Sequence, residues 1–179
     1  MKHTALMYMA CWGLALGTCV LALHGQEPSG TATAKVRIGI YDSRAIAIAW
    51  ARSSHNPVGE KMKEYEAAKK ADDKKKVAEL EAWGPAHQRL LHFQGFGHVP
   101  VGDLLKPVHE PMRELLQKKD LAAIVNECDL VATGVEQVDV TNDLVLFFQP
   151  TEETLDIVEQ LRDKKPLSLL ELADLPADK

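Results

Sequence analysis

The stretch that most constrains this chain is Leu121 to Phe148, LAAIVNECDLVATGVEQVDVTNDLVLFF, where short apolar runs alternate with turn formers and end on a helix signal. Leu121 to Val125 has the length and β-branching of a strand, and Asp129 to Thr133 supplies a second short run through Leu130 and Val131. Asn126, Glu127 and Cys128 part the two runs, which predicts a hairpin with Asn126 at its tight position. Gly134 follows, then Val138-Asp139-Val140-Thr141, where the Thr141 hydroxyl is placed to cap a short helix from Asn142 to about Phe148. The expected order is strand, turn, strand, loop, capped helix.

A first strand is expected far upstream. Val36, Ile38 and Ile40 alternate with Arg37 and Gly39, the pattern of a half-buried strand. Asp42 or Ser43 then caps a helix from Arg44 to about Arg52, although Ile46, Ile48 and Trp50 alternating with alanines also fit a continued strand. Ser53 to Pro57 interrupts the pattern. From Val58 the spacing of Val58, Met62 and Tyr65 predicts a helix with a narrow apolar face. That stripe vanishes across Lys69 to Lys74, and Asp72 or Asp73 offers a new N-cap before Val77 and Leu80, which favours a helical hairpin over one rod.

Gly84-Pro85 is expected to bend the second arm helix. Gln94 to Asp103, QGFGHVPVGD, reads as a loop that folds back. A third helix then carries Leu105, Val108, Met112, Leu115 and Leu116 on one face, started late or kinked by Pro107 and Pro111. Past Gln149-Pro150, Thr151 caps a helix whose Leu155, Val158 and Leu161 are to be buried, with acidic residues at its start and Lys164-Lys165 near its end. Leu167 to Lys179 reads as a leucine-bearing tail packing as an extended arm. The fold class expected is α+β, a single domain over 36–179: a small sheet of about three strands, a helical arm at about 57–119, and C-terminal helices.

Residues 1–25 read as a secretory leader, with Lys2 and His3 ahead of an apolar run from Ala5 to Leu23 broken only by Thr18. Cleavage after Gly25 would leave a polar tether, 26–35, at the start of the chain, and cleavage after Ala34 would remove nearly all of it; the alternative is an uncleaved anchor. Leu16-Gly17-Thr18-Cys19 is a poor lipoprotein box, so membrane attachment would come only through an uncleaved leader or lipidation. Removal of Cys11 and Cys19 with the leader leaves Cys128 alone, without an intramolecular disulfide, as a small half-buried residue of the hairpin turn. A net charge of −5 gives no reason to expect nucleic acid as a partner.

Chemistry is thinly signalled. His87 and His92 are five apart, which misses the spacing that puts two imidazoles on one helix face, and no zinc or other cofactor is called for. Neither a nucleophile elbow nor a phosphate-binding glycine loop is present, and Gly95-Phe96-Gly97 is too short to cradle a phosphate. Two groups of residues stand as candidates. Phe93, Phe96 and Val99 either form an apolar contact for a partner or plug the joint between helices. Asp42, Arg44 and His98 are candidates for a pocket bounded by the first strand's end and the Gln94 to Asp103 loop, with helix capping as the plainer explanation of Asp42.

The strand Val36 to Asp42 with Arg44 behind it, the run Leu121 to Val125, then Asp129-Leu130-Val131 and Val138-Asp139-Val140-Thr141 resemble, in this order around a helical middle, the Skp/OmpH family of periplasmic chaperones. The resemblance implies a body of joined sheets with a helical arm, export to the periplasm, and non-covalent holding of unfolded or envelope polypeptides by a homo-oligomer. This chain departs from the family in its short arm, its Gly-Phe-Gly interruption, and the late helix and tail that follow Thr151. The alternative function is a small exported ligand-binding domain or enzyme built on the Asp42 pocket.

Overall fold

The computed structural model describes residues 35–175. The expected leader, nearly all of the expected tether, Cys11, Cys19 and the final residues of the tail lie outside that range. Strand β1 is Arg37–Ile40, β2 is Ala123–Val125 and β3 is Glu136–Asp139, and they form one parallel sheet in the order β2-β1-β3. Helices α1 (Ser43–Ala51), α2 (Val58–Lys70), α3 (Lys74–Phe96), α4 (Gly102–Leu105), α5 (His109–Lys118), α6 (Thr141–Leu146), α7 (Glu152–Arg162) and α8 (Leu169–Ala173) surround or extend it. The mixed α and β class expected from the sequence is the class observed. No helix among the described residues is long and apolar enough to cross a membrane.

The hairpin expected from Leu121 to Thr133 does not form. Its first half is β2, but Asp129 to Thr133 is loop, with Leu130 at 92% exposure, and Glu136–Asp139 pairs with β1 instead. Two observations account for this. The 129–133 run has only Leu130 and Val131 to bury, whereas the later strand brings Val138 against the core and leads straight into fully buried Val140. Glu136 also meets both Lys35 and Arg37 beside the strand, which fixes the parallel register Arg37↔Glu136. Cys128, expected half-buried in a turn, is exposed in this loop.

The sheet buries the face opposite to the one the alternation suggests. Gly39 is buried, and its register partners Ile124 and Val138 pack on the core, while Ile38 and Ile40 are half-buried and Val36 is exposed. The glycine makes this face close. A Cβ there would lie 3.1 Å from Leu121 Cδ1 and from Val140 Cγ2, so the neighbouring strands' larger side chains fold over the space that a side chain would take. Helix α1 crosses this region and is buried nearly all round, with Ile46 at 0% exposure, because alanines at 45, 47 and 49 let α3, α6 and α7 approach.

The helical hairpin is present, turning through Ala71 and Asp72, with the Asp73 carboxylate accepting from the Lys76 amide as N-cap of α3. Asp72 takes a left-handed φ of 52° to reverse the chain. The arm is shorter than 57–119. Val101, Leu104, Leu105, Val108 and Leu115 all lie in the core cluster, so α4 and α5 belong to the body. Pro85 lies inside α3, which runs on to Phe96 and takes Gln94 and Gly95 with it, so the loop expected over Gln94 to Asp103 is only Gly97 to Val101. Gln94, 1% exposed, pins that loop by donating to Pro100 O (3.1 Å) and Asp103 Oδ1 (3.1 Å).

His87 ties the arm to the body. Its ring stacks on Trp83 at 4.6 Å, meets Trp50 of α1 edge-on at 6.0 Å, and its Nε2 lies 3.1 Å from Asn56 Oδ1. Burial holds this imidazole below its ordinary value of 6.5. The unfolded chain therefore takes the proton first: the contribution of His87 to stability is full above pH 6.5 and is lost as pH falls below it. Thermal unfolding measured from pH 7.5 down to 5.5 should show a fall in Tm that is shallower in His87→Gln; equal slopes would remove His87 from the joint.

Over its described residues, Leu167 to Leu175, the tail is not extended. Leu167 bridges to Gly97, and α8 starts with a reciprocal capping box between Ser168 and Glu171. Leu172, 1% exposed, seats on Gly97 so closely that a Cβ there would stand 2.5 Å from Leu172 Cδ1. Gly97→Ala should therefore loosen α8 at a cost of about 1–3 kcal/mol. Limited proteolysis should then cut near Leu169 faster than in the parent, and unchanged cutting would show that Leu172 has room to move.

Candidate functional site

All three strands run the same way, so their C-terminal ends share one edge of the sheet. The chain leaves β1 in the middle, visits β2 on one side and then crosses to β3 on the other, so neighbouring connections diverge at the end of β1. Such a switch point opens a crevice outside the carboxyl ends of the strands. Here it is an open cleft of about 420 Å³.

The residues just past each strand interlock around it. After β1, the Asp42 amide donates to Thr141 Oγ1 beyond β3 (3.1 Å), and the Ser43 amide donates to Asn126 Oδ1 beyond β2 (3.2 Å). The start of α1 is thus held from both sides. Asn126, expected as a hairpin turn residue, fills this capping place because no hairpin exists. Thr141, expected to cap the helix after it, instead accepts from Asp42, while its own amide donates to Asp139 Oδ1 (2.8 Å) and α6 begins without a side-chain cap.

Charge in the cleft is paired. The Asp42 carboxylate caps Arg44 N and accepts from its guanidinium, Nε to Oδ1 at 3.0 Å and Nη2 to Oδ2 at 2.6 Å, while Arg44 Nη1 donates to Lys164 O at 2.7 Å. Arg162, one turn after Val158 on α7, places Nη2 3.9 Å from Asp139 Oδ2 and 3.0 Å from Asn142 Oδ1, and its Nε meets Glu159 at 3.3 Å. His98 lines the loop side, with Nδ1 3.7 Å from Glu127 Oε2. Tyr41 completes the wall, and burial raises its phenol above the ordinary 10.0, which keeps it a neutral hydroxyl. Ile40, Ala45 and Val158 make the floor apolar.

Of the three pocket candidates, Asp42 and His98 do line one cleft, across the very gap expected between strand end and loop. Arg44 does not; at 5% exposure it lies behind Asp42 as its counter-ion. Tyr41, Asn126, Asp139, Thr141 and Arg162 were not nominated by the sequence. Their signal was position immediately after a strand, which becomes readable only once the sheet is known to be parallel and not a hairpin.

The apolar candidates separate. Phe96, 44% exposed, lines a second groove of about 410 Å³ with Ala47, Ile48, Leu91 and Ile157 between α1, α3 and α7. Phe93 is half-buried beneath the Arg89 guanidinium, 5.2 Å from its ring centre, and Val99 is half-buried in the loop, so the three form no common patch on that groove. Among the described residues no group of three or more histidine, cysteine or acidic side chains is placed to hold a metal ion. Compared with protein-family models, curated proteins and solved structures, the chain matches none.

Proposed function

We propose that this chain is an exported small-molecule-binding domain whose ligand occupies the cleft at the β1/β3 switch point. The observation that carries the reading is the convergence there of residues following all three strands, Asp42, Asn126 and Thr141, on one polar wall over an apolar floor. A cleft of about 420 Å³ lies within the range of small-molecule sites, about 300–1,000 Å³. The residues that shape it are also those that hold α1 to the sheet, so the site is preformed by the fold. The test is a fragment screen followed by amide chemical-shift mapping: hits should move Tyr41, Asn126 and Thr141 together. Hits confined to other surfaces would sink the reading.

A second reading has one observation behind it. The groove beside Phe96 is almost wholly apolar and open, the kind of surface that takes apolar side chains of an unfolded or envelope polypeptide, as the Skp/OmpH resemblance implies for a periplasmic homo-oligomer. On this reading the full chain suppresses aggregation of an unfolded outer-membrane protein, and Phe96→Ser abolishes the effect without altering Tm. Suppression that survives Phe96→Ser would remove the groove from the explanation.

A further inference from the structure

We infer that the switch-point cleft takes an uncharged, polyhydroxylated compound of the sugar or cyclitol class. The inference rests on the binding reading above and goes further by naming the ligand's chemistry.

Electrostatics excludes the charged alternatives first. Two carboxylates line the cleft, Asp42 and Asp139, and two guanidiniums answer them, Arg44 and Arg162. An anion at Arg162 would sit beside the Asp139 and Glu159 carboxylates, 3.9 and 3.3 Å from that guanidinium. A cation finds both Asp42 oxygens held by Arg44 and one Asp139 oxygen held by the Thr141 amide. Either charge therefore meets a like charge beside its intended partner, so a charged ligand gains little.

What remains unused is the hydrogen-bonding capacity of neutral or neutralised groups. Asn126 spends only its Oδ1, on Ser43 N, and its Nδ2 has no partner among the described residues. The Tyr41 hydroxyl, kept protonated by burial, has none either, and the Thr141 hydroxyl accepts from Asp42 N while its own proton stays available to a ligand. Asp139 Oδ2 faces Arg162 at 3.9 Å, beyond a hydrogen bond, so a hydroxyl can enter between them, accepting from one and donating to the other. The wall therefore offers both donors and acceptors, and Ile40 and Val158 line the same cleft. Adjacent hydroxyls on a ring, each both donor and acceptor, with C–H groups on the ring face, match that pattern where an amino acid, phosphate or metal ion does not.

The test uses the full exported chain, with maltose and myo-inositol as neutral probes, citrate and inorganic phosphate as anions, and calcium as cation. Each is titrated by amide chemical shifts in the parent and in Tyr41→Phe, which removes one unpartnered hydroxyl and leaves the packing. The expected result is saturable movement of Tyr41, Asn126 and Thr141 amides by a neutral probe only, with affinity about tenfold weaker in Tyr41→Phe. Saturation of the same amides by citrate, phosphate or calcium overturns the ligand class and leaves the cleft reading standing. Neutral probes that bind with equal affinity in Tyr41→Phe are bound elsewhere, which overturns the assignment to this site. No saturable movement with any probe overturns it as well, and a fragment screen that also misses these amides then removes the cleft reading.

Discussion

Asp42→Ala should destabilise the protein by about 3–5 kcal/mol, the cost of leaving a buried charge without its partner. The Arg44 side chain is 6% exposed, and apart from Asp42 its guanidinium has only the Lys164 carbonyl. Removing the carboxylate strands that cation beneath α1 and takes away the helix's N-cap in the same step. Arg44→Met should cost less, since the carboxylate left behind is a quarter exposed and keeps its bond to the backbone amide of position 44. Asp42→Ala combined with Arg44→Met, which removes both charges, should cost clearly less than the two changes added together. Urea unfolding of the three variants decides it, and strict additivity would mean that the pair is not formed in solution.

Ile46→Ala is the second large effect, expected at about 2–5 kcal/mol. Ile46 is 0% exposed on a helix that α3, α6 and α7 all touch, so no neighbour is free to move into the cavity. Leu130→Ala is the informative companion. At 92% exposure it should change stability by no more than about 0.5 kcal/mol, whereas a strand at 129–133 would make it cost several times that. Equal effects at the two positions would contradict the observed placement of the third strand.

Elements fixed by local signals were legible in the sequence. Asp42 or Ser43 ahead of an apolar run, Asp72 or Asp73 after a charged break, and Thr151 ahead of Glu152-Glu153 each marked a helix start that the structure contains, with Asp42, Asp73 and Thr151 as the caps. Long-range choices were less so. Nothing in Leu130-Val131 or Val138 says which will pair with a strand some 85 to 100 residues upstream; that was decided by which run leads into buried Val140 and by Glu136 meeting Lys35 and Arg37. The exposed 129–133 loop, the inward face at Gly39 and the capping role of Asn126 all follow from that one pairing. So does the cleft: Asp42 and His98 were found because a strand end and a glycine-rich loop are recognisable anywhere, while Asn126, Thr141 and Asp139 acquire meaning only from the parallel order.

The position of β1 between partners that arrive so much later sets a condition on biosynthesis. Ile38 must find Ala123 on one side and Gln137 on the other, contacts that a ribosome delivers only after the whole arm has been made. Until then Arg37 to Ile40 is a bare edge on both flanks, joined to a very apolar segment at Ile46 to Trp50. The α2/α3 hairpin, closed by neighbours in sequence, is free to form meanwhile, and the nascent protein passes through a stage in which its most conspicuous part is finished and its centre is not. Newly made chains should then be most vulnerable to proteases and to clumping just before Glu136 emerges, and a truncation ending ahead of that residue should gather into aggregates that the complete chain avoids.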